Sequence, residues 1–102
     1  MSQHSIWFDS QPDYQITLGY NREHNIYYGE VLCGISRVYS SYDHLLLNRR
    51  LLGAIIAAVE SETGLTVPAV ASAQLRLDPE SDNRLVHYRV LDSNNVDVSE
   101  II

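Results

Sequence analysis

Residues Ser40 to Gly64 read SSYDHLLLNRRLLGAIIAAVESETG. Apolar residues recur there three and four positions apart, and that spacing predicts one long helix. Ser40 followed by Asp43 matches a Ser-x-x-Asp capping box, and Asp43 suits the positive end of the helix dipole. Gly64 supplies a left-handed stop. Such a helix would reach roughly 35 Å, enough to cross a sheet. In projection Leu45, Leu52, Ile55, Ile56 and Val59 form the stripe expected to face that sheet. Leu47, Leu51, Ala54 and Ala58 form a second stripe about 120° away. Together the stripes exceed the ~100° that one contact surface needs. The surplus predicts a two-fold homodimer in which Leu47, Leu51, Ala54 and Ala58 pack on a second copy; the alternative cover is the chain's own 96–102 or 35–39 segment.

The flanks of this helix read as strand and turn. Residues 5–9 (SIWFD) are rich in β-formers, and Gln11-Pro12-Asp13 signals a turn. From Tyr14 to Tyr20 the chain alternates, with Tyr14, Ile16, Leu18 and Tyr20 on one face. A polar loop over 21–25 leads to a third strand, Ile26 to Cys33, and Ile35 to Tyr39 leads into the helix. Beyond Gly64, Val70 to Leu77 alternates, with Ala71, Ala73, Leu75 and Leu77 on one side, and is expected as a strand. An acidic turn over 78–83 precedes the strand Arg84 to Leu91, whose Val86, Tyr88 and Val90 should face inward. Residues 92–95 break that strand, and the tail 94–102 either stays flexible or adds an edge strand. The order β-β-β-α-β-β implies a single α+β domain over 1–102. It would be a two-layer sandwich of an antiparallel sheet of four to five strands, with one long helix on one face.

Composition bounds the function. A chain of 102 residues with 45% hydrophobic and 20% charged residues is in the globular range. Its formal net charge of −6 argues against a nucleic-acid partner, because phosphate binding needs a basic face. All seven basic residues are arginines, interspersed with acids. The lone Cys33 rules out a disulfide framework within one chain and fits a reducing compartment. No apolar run approaches a membrane span, and the first residues lack a signal-peptide pattern. These features predict a soluble cytoplasmic protein without membrane contact.

No motif in the chain carries chemistry. His4, His24, His44 and His87 lack metal-ligand spacing, the five glycines match no phosphate loop, and Asp92-x-Asn94 lacks the remaining ligands of a calcium loop. No cofactor or metal is expected, and catalysis is disfavoured. The richest feature is tyrosine, seven in all, six of them before residue 43. Tyrosine is an amphipathic anchor enriched at interfaces. The sequence therefore predicts a non-enzymatic interaction or regulatory module. Its partner face for another protein would comprise Tyr20, Arg22, His24, Tyr27 and Tyr28. Small acidic proteins of this kind include immunity proteins and phage-type inhibitors of defence enzymes, an analogy of size and charge alone. The alternative is a small-ligand-binding protein or small enzyme with a pocket between helix and sheet or at a dimer seam. Glu30, His87, Tyr88 and Arg89 would then supply its polar groups.

Overall fold

Strand β1 (Gln3–Phe8) lies inside the sheet, and its two neighbours run in different senses. On one side it pairs antiparallel with β2 (Gln11–Asn21), with Ile6 opposite Ile16. On the other it pairs parallel with β5 (Leu85–Asp92), with Ile6 opposite Tyr88. Beyond β2 come β3 (Ile26–Cys33) and β4 (Ser36–Ser40), and beyond β5 comes β6 (Asn95–Glu100). The order β4-β3-β2-β1-β5-β6 makes a six-stranded mixed sheet. A computed structural model describes residues 2–80, 83–92 and 94–101. The class is α+β, with helices α1 (Leu52–Thr63) and α2 (Ala69–Leu75) in the stretch between β4 and β5.

The helical region departs from expectation in extent. Instead of one helix from Ser40 to Gly64, the chain makes a 3₁₀ turn at Ser41–Asp43, an irregular segment, and a twelve-residue α1. The Ser40 hydroxyl does cap, accepting from the Tyr42 N–H, but the turn it starts ends at His44 in extended conformation. Two competitors take the backbone groups that a helix would use. The Arg49 guanidinium donates to the carbonyls of Ser41 and Tyr42, and the Tyr27 N–H donates to the Arg49 carbonyl at 2.7 Å. The Asn48 side chain accepts from the Arg50 N–H, a local bond that opposes helix. Leu45 is consequently 88% exposed instead of facing the sheet.

Three further expectations are corrected. Val70 to Leu77 is no strand: Ala69–Leu75 is α2. Its buried residues, Ala71 and Leu75, are one turn apart, and the alanines favour helix over strand. The sheet is mixed and has six strands, because Ile35 to Tyr39 contributes β4 and the tail contributes the edge strand β6. Gln11 to Asp13 belong to β2, the turn falling one step earlier. The acidic turn over 78–83 begins as a 3₁₀ turn at Asp78–Glu80; Ser81 and Asp82 lie outside the described residues, as do Met1, Ser93 and Ile102.

Both helices cover the same face. Ile6, Ile16, Leu18, Val31, Val86 and Tyr88 point from the sheet into a core completed by Leu52, Ile55 and Val59 of α1 and by Ala71 and Leu75 of α2. Gly64, at φ 69°, closes α1 as the sequence suggests. Gly29 sets how close α1 comes to β3. A methyl group there would stand 2.9 Å from both Ile55 Cγ2 and Val59 Cγ1. Gly29→Ala should therefore overpack the core and lower stability by about 1–3 kcal/mol. A urea unfolding curve should show a lower midpoint at unchanged slope.

Candidate functional site

Strand alternation puts every second residue on the side without helices. Register then arranges these residues in cross-strand rows. Leu85, Gln3, Gly19 and Tyr28 form one row, His87, Ser5, Thr17, Glu30 and Ser40 the next, and Arg89, Trp7, Gln15, Leu32 and Arg37 the third. At the centre of this face Ser5, Thr17 and Gly19 are small beside the larger Gln3, Trp7 and Gln15 of the same strands. On the β5 side Trp7 meets His87 edge-on, with ring centroids 5.0 Å apart, and Arg89 grips the Asp9 carboxylate at 3.0 and 3.2 Å.

The β3 side is built on an aromatic stack. A Cβ on Gly19 would stand 2.4 Å from Tyr28 Cζ, so the glycine makes room for that ring. The Tyr28 hydroxyl donates to the Ser2 carbonyl at 2.7 Å, and burial pushes its pKa well above the usual phenol range. Tyr42 stacks on Tyr28 at 5.9 Å and receives the Arg49 guanidinium 5.7 Å from its ring centroid. Between this stack and the floor of Gln15 and Thr17 is a groove of about 380 Å³, with Gln3, Glu30 and Leu32 completing its lining.

A second polar constellation lies beneath the sheet and is closed to solvent. His4 Nε2 meets Asp78 Oδ2 at 2.7 Å, and His4 Nδ1 meets the Tyr88 hydroxyl at 2.8 Å. The Ser2 hydroxyl donates to the same Asp78 oxygen, while Arg84 donates to Asp78 Oδ1 at 3.2 Å. Arg84 also holds the Gln74 side chain and Glu100. Desolvation raises the Asp78 pKa, but the hydrogen bonds from His4 and Ser2 and the charges of His4 and Arg84 outweigh it, so the carboxyl sits below its ordinary range. Serine, histidine and aspartate occur together here without a nucleophile: the Ser2 hydroxyl donates to the carboxylate, not to the imidazole, and all three side chains are buried. The cluster is a structural latch that ties the start of β1 to the turn after α2 and to β5.

The residues expected at a partner face are separated. Tyr20 and Tyr27 pack edge to face on the helix side, Arg22 and His24 lie at the exposed hairpin tip, and Tyr28 alone is on the open side. The alternative pocket also divides. Glu30, His87 and Arg89 share the open face, but three strand spacings, about 14 Å, separate Glu30 from His87. Tyr88 is buried on the opposite side against His4. Of the second apolar stripe, Ala54 and Ala58 lie half-buried on α1, Leu51 is its exposed N-cap residue, and Leu47 belongs to the preceding segment and packs on the core.

Sequence reasoning passed over Trp7, Gln3, Gln15, Thr17 and Tyr42 as site residues. The shared side of Trp7, Gln15 and Thr17 was available from strand alternation, but the place of Tyr42 on its 3₁₀ turn and the join of β1 to β5 were not. Among the described residues no three His, Cys, Asp or Glu side chains converge as metal ligands, and no helix is long and apolar enough to cross a membrane. The chain matches no family model, and no curated protein or solved structure is significantly similar to it.

Asp78→Asn should cost about 3 kcal/mol at neutral pH, because it leaves Arg84 and His4 facing a neutral group in a sealed site. Since the Asp78 pKa is lowered by folding, its contribution is complete above the unfolded value of about 3.9 and is lost as pH falls through the folded value. Thermal unfolding of both proteins should show a gap at pH 7 that narrows below about pH 4.

Proposed function

We propose that this chain is a non-catalytic binding module that recognises a protein partner through the open face of its sheet and pairs with a second copy through α1. One observation carries the reading. Helices α1 and α2 cover the sheet on one side only, and the other side presents the Trp7–His87 pair and a groove lined by Tyr42 and Gln15. Aromatic and amide groups around a groove suit the centre of a protein interface, where aromatic residues are enriched and charges depleted.

Self-association draws on the outward side of α1. Gly53, Ala57 and Ser61 are exposed, Ala54 and Ala58 are half-buried, and Leu51 is 58% exposed at the helix start. Small residues one turn apart let two helix backbones approach closely, and Leu51 supplies apolar area beside them. The partner class is another protein, in the manner of small acidic inhibitors that occupy a larger protein's surface. The net charge of −6 favours a basic partner.

Site-specific photo-crosslinking tests the partner face. A photoreactive residue at Trp7 or Gln15 should trap one and the same protein in cells, and the same group at Val70 on the helix side should not. Equal trapping from both sides overturns the reading. For assembly, sedimentation equilibrium of the native chain should give the dimer mass and Leu51→Glu the monomer mass, with the melting temperature unchanged. A monomeric native chain removes the self-association half of the proposal.

A further inference from the structure

The hydrogen-bonding polarity of the open-face groove narrows the chemistry it can receive. The Gln3 amide donates Nε2 to Ser5 Oγ at 3.3 Å, and the Gln15 amide donates Nε2 to Thr17 Oγ1 at 3.2 Å. Each glutamine thus spends one of its two N–H donors along its own strand and keeps its carbonyl oxygen as an acceptor. The Tyr28 hydroxyl is used on the Ser2 carbonyl, whereas the Thr17 and Tyr42 hydroxyls add neutral donors to the lining. Glu30 adds a carboxylate, which accepts and does not donate. Its intramolecular cation is Arg37, which stands 3.9 Å away, beyond hydrogen-bond reach, with its side chain 55% exposed on the edge strand. What remains is a mixed lining in which the Gln3 and Gln15 carbonyls and the Glu30 carboxylate are acceptors around one loosely held negative charge. Leu32 and the edge of the Tyr28–Tyr42 stack give it an apolar wall.

The carboxylate suits a cation, the spaced acceptors suit several donors on one group, and the apolar wall suits an apolar stem. A guanidinium meets each requirement. It presents five N–H groups in a fixed fork, cannot lose its charge, and is more weakly hydrated than an ammonium, so burial costs it less. A lysine ammonium is a compact point charge and suits spread acceptors less well. The methylenes of an arginine stem can lie along Leu32 and the tyrosine edges while the head reaches Glu30 and the two amide carbonyls. At about 380 Å³ the groove exceeds a bare guanidinium and has room for the peptide that bears it. Glu30 gives the groove its complementarity to a cation, and the chain's net charge of −6 favours the approach of a basic partner. We propose that the groove between β1, β2 and β3 is a receptor for an arginine side chain of the protein partner. Glu30 is its counter-ion, and Arg37 is the internal group that the incoming guanidinium displaces. The proposal rests on the reading of the open face as a protein-binding surface and names what that surface recognises.

Amide chemical shifts of the full chain, titrated with acetyl-Gly-Arg-Gly-amide, test it. Saturable shifts should centre on Gln15, Thr17, Glu30 and Leu32. The citrulline peptide, which keeps the shape and loses the charge, should leave them unmoved. Glu30→Gln should weaken binding about tenfold, the worth of one charge-assisted hydrogen bond. Arg37→Ala, an exposed change that leaves the core intact, should strengthen it several-fold by removing the competitor. Equal binding of the citrulline peptide, no saturable shift, or indifference to both substitutions overturns the proposal. Methylguanidinium binding as tightly as the peptide overturns the assignment to a protein's arginine in favour of a free small cation. Crosslinking from Trp7 is independent of Glu30, so a trapped partner alongside a silent titration would sink this inference and leave the protein-binding reading standing.

Discussion

A single buried carboxylate holds the two halves of this chain together. Asp78 follows α2 by three residues, yet its oxygens accept from Ser2 and His4 at the start of β1 and from Arg84 just before β5. Those partners lie up to 76 positions away in sequence. The contact therefore fixes the central parallel pairing of β1 with β5, which no short turn could enforce. A buried charge survives only when its partners are in place, and here Asp78 Oδ1, Asp78 Oδ2 and both His4 ring nitrogens are bonded. Among the described residues no buried side-chain polar atom lacks a partner.

With β1 and β5 locked side by side, the open face follows. Trp7 reaches His87 only because β1 and β5 are neighbours, and Gln15 and Thr17 lie next to that pair because β2 flanks β1 on the other side. The helices meanwhile are occupied on the opposite face. Gly29 draws α1 onto β3, and Ala71 and Leu75 seat α2 against the core. Gly19 makes a matching concession on the open side, where it admits the Tyr28 ring and so shapes one end of the groove. Two glycines in adjacent strands thus let large groups close on opposite sides of the same sheet.

The sequence was legible where the signal is local. Alternation in 14–20 and 84–91 put Ile16, Leu18, Val86 and Tyr88 on the buried side, as they are. It misled over 70–77, where a period of two and a period of four both fit the apolar residues and alanine's helical preference decided the matter. It also misled over 44–51, where a good cap and apolar spacing met a competing set of tertiary bonds from Arg49 and Tyr27. The tyrosine count led to an expected partner face but could not sort the rings. Strand parity divides Tyr20 and Tyr27 from Tyr28.

Sequence alone determined the α+β class, the faces of β2 and β5, and the stop of α1 at Gly64. Each rests on the geometry of a few consecutive residues: side-chain alternation, helical spacing, or a positive φ. Tertiary structure alone decided that β1 lies beside β5, that the helix begins at Leu52, that Asp78 is core, and that Gln3, Gln15 and Glu30 share a groove. These depend on hydrogen bonds and packing between residues far apart in the chain, whose partners a linear pattern does not name.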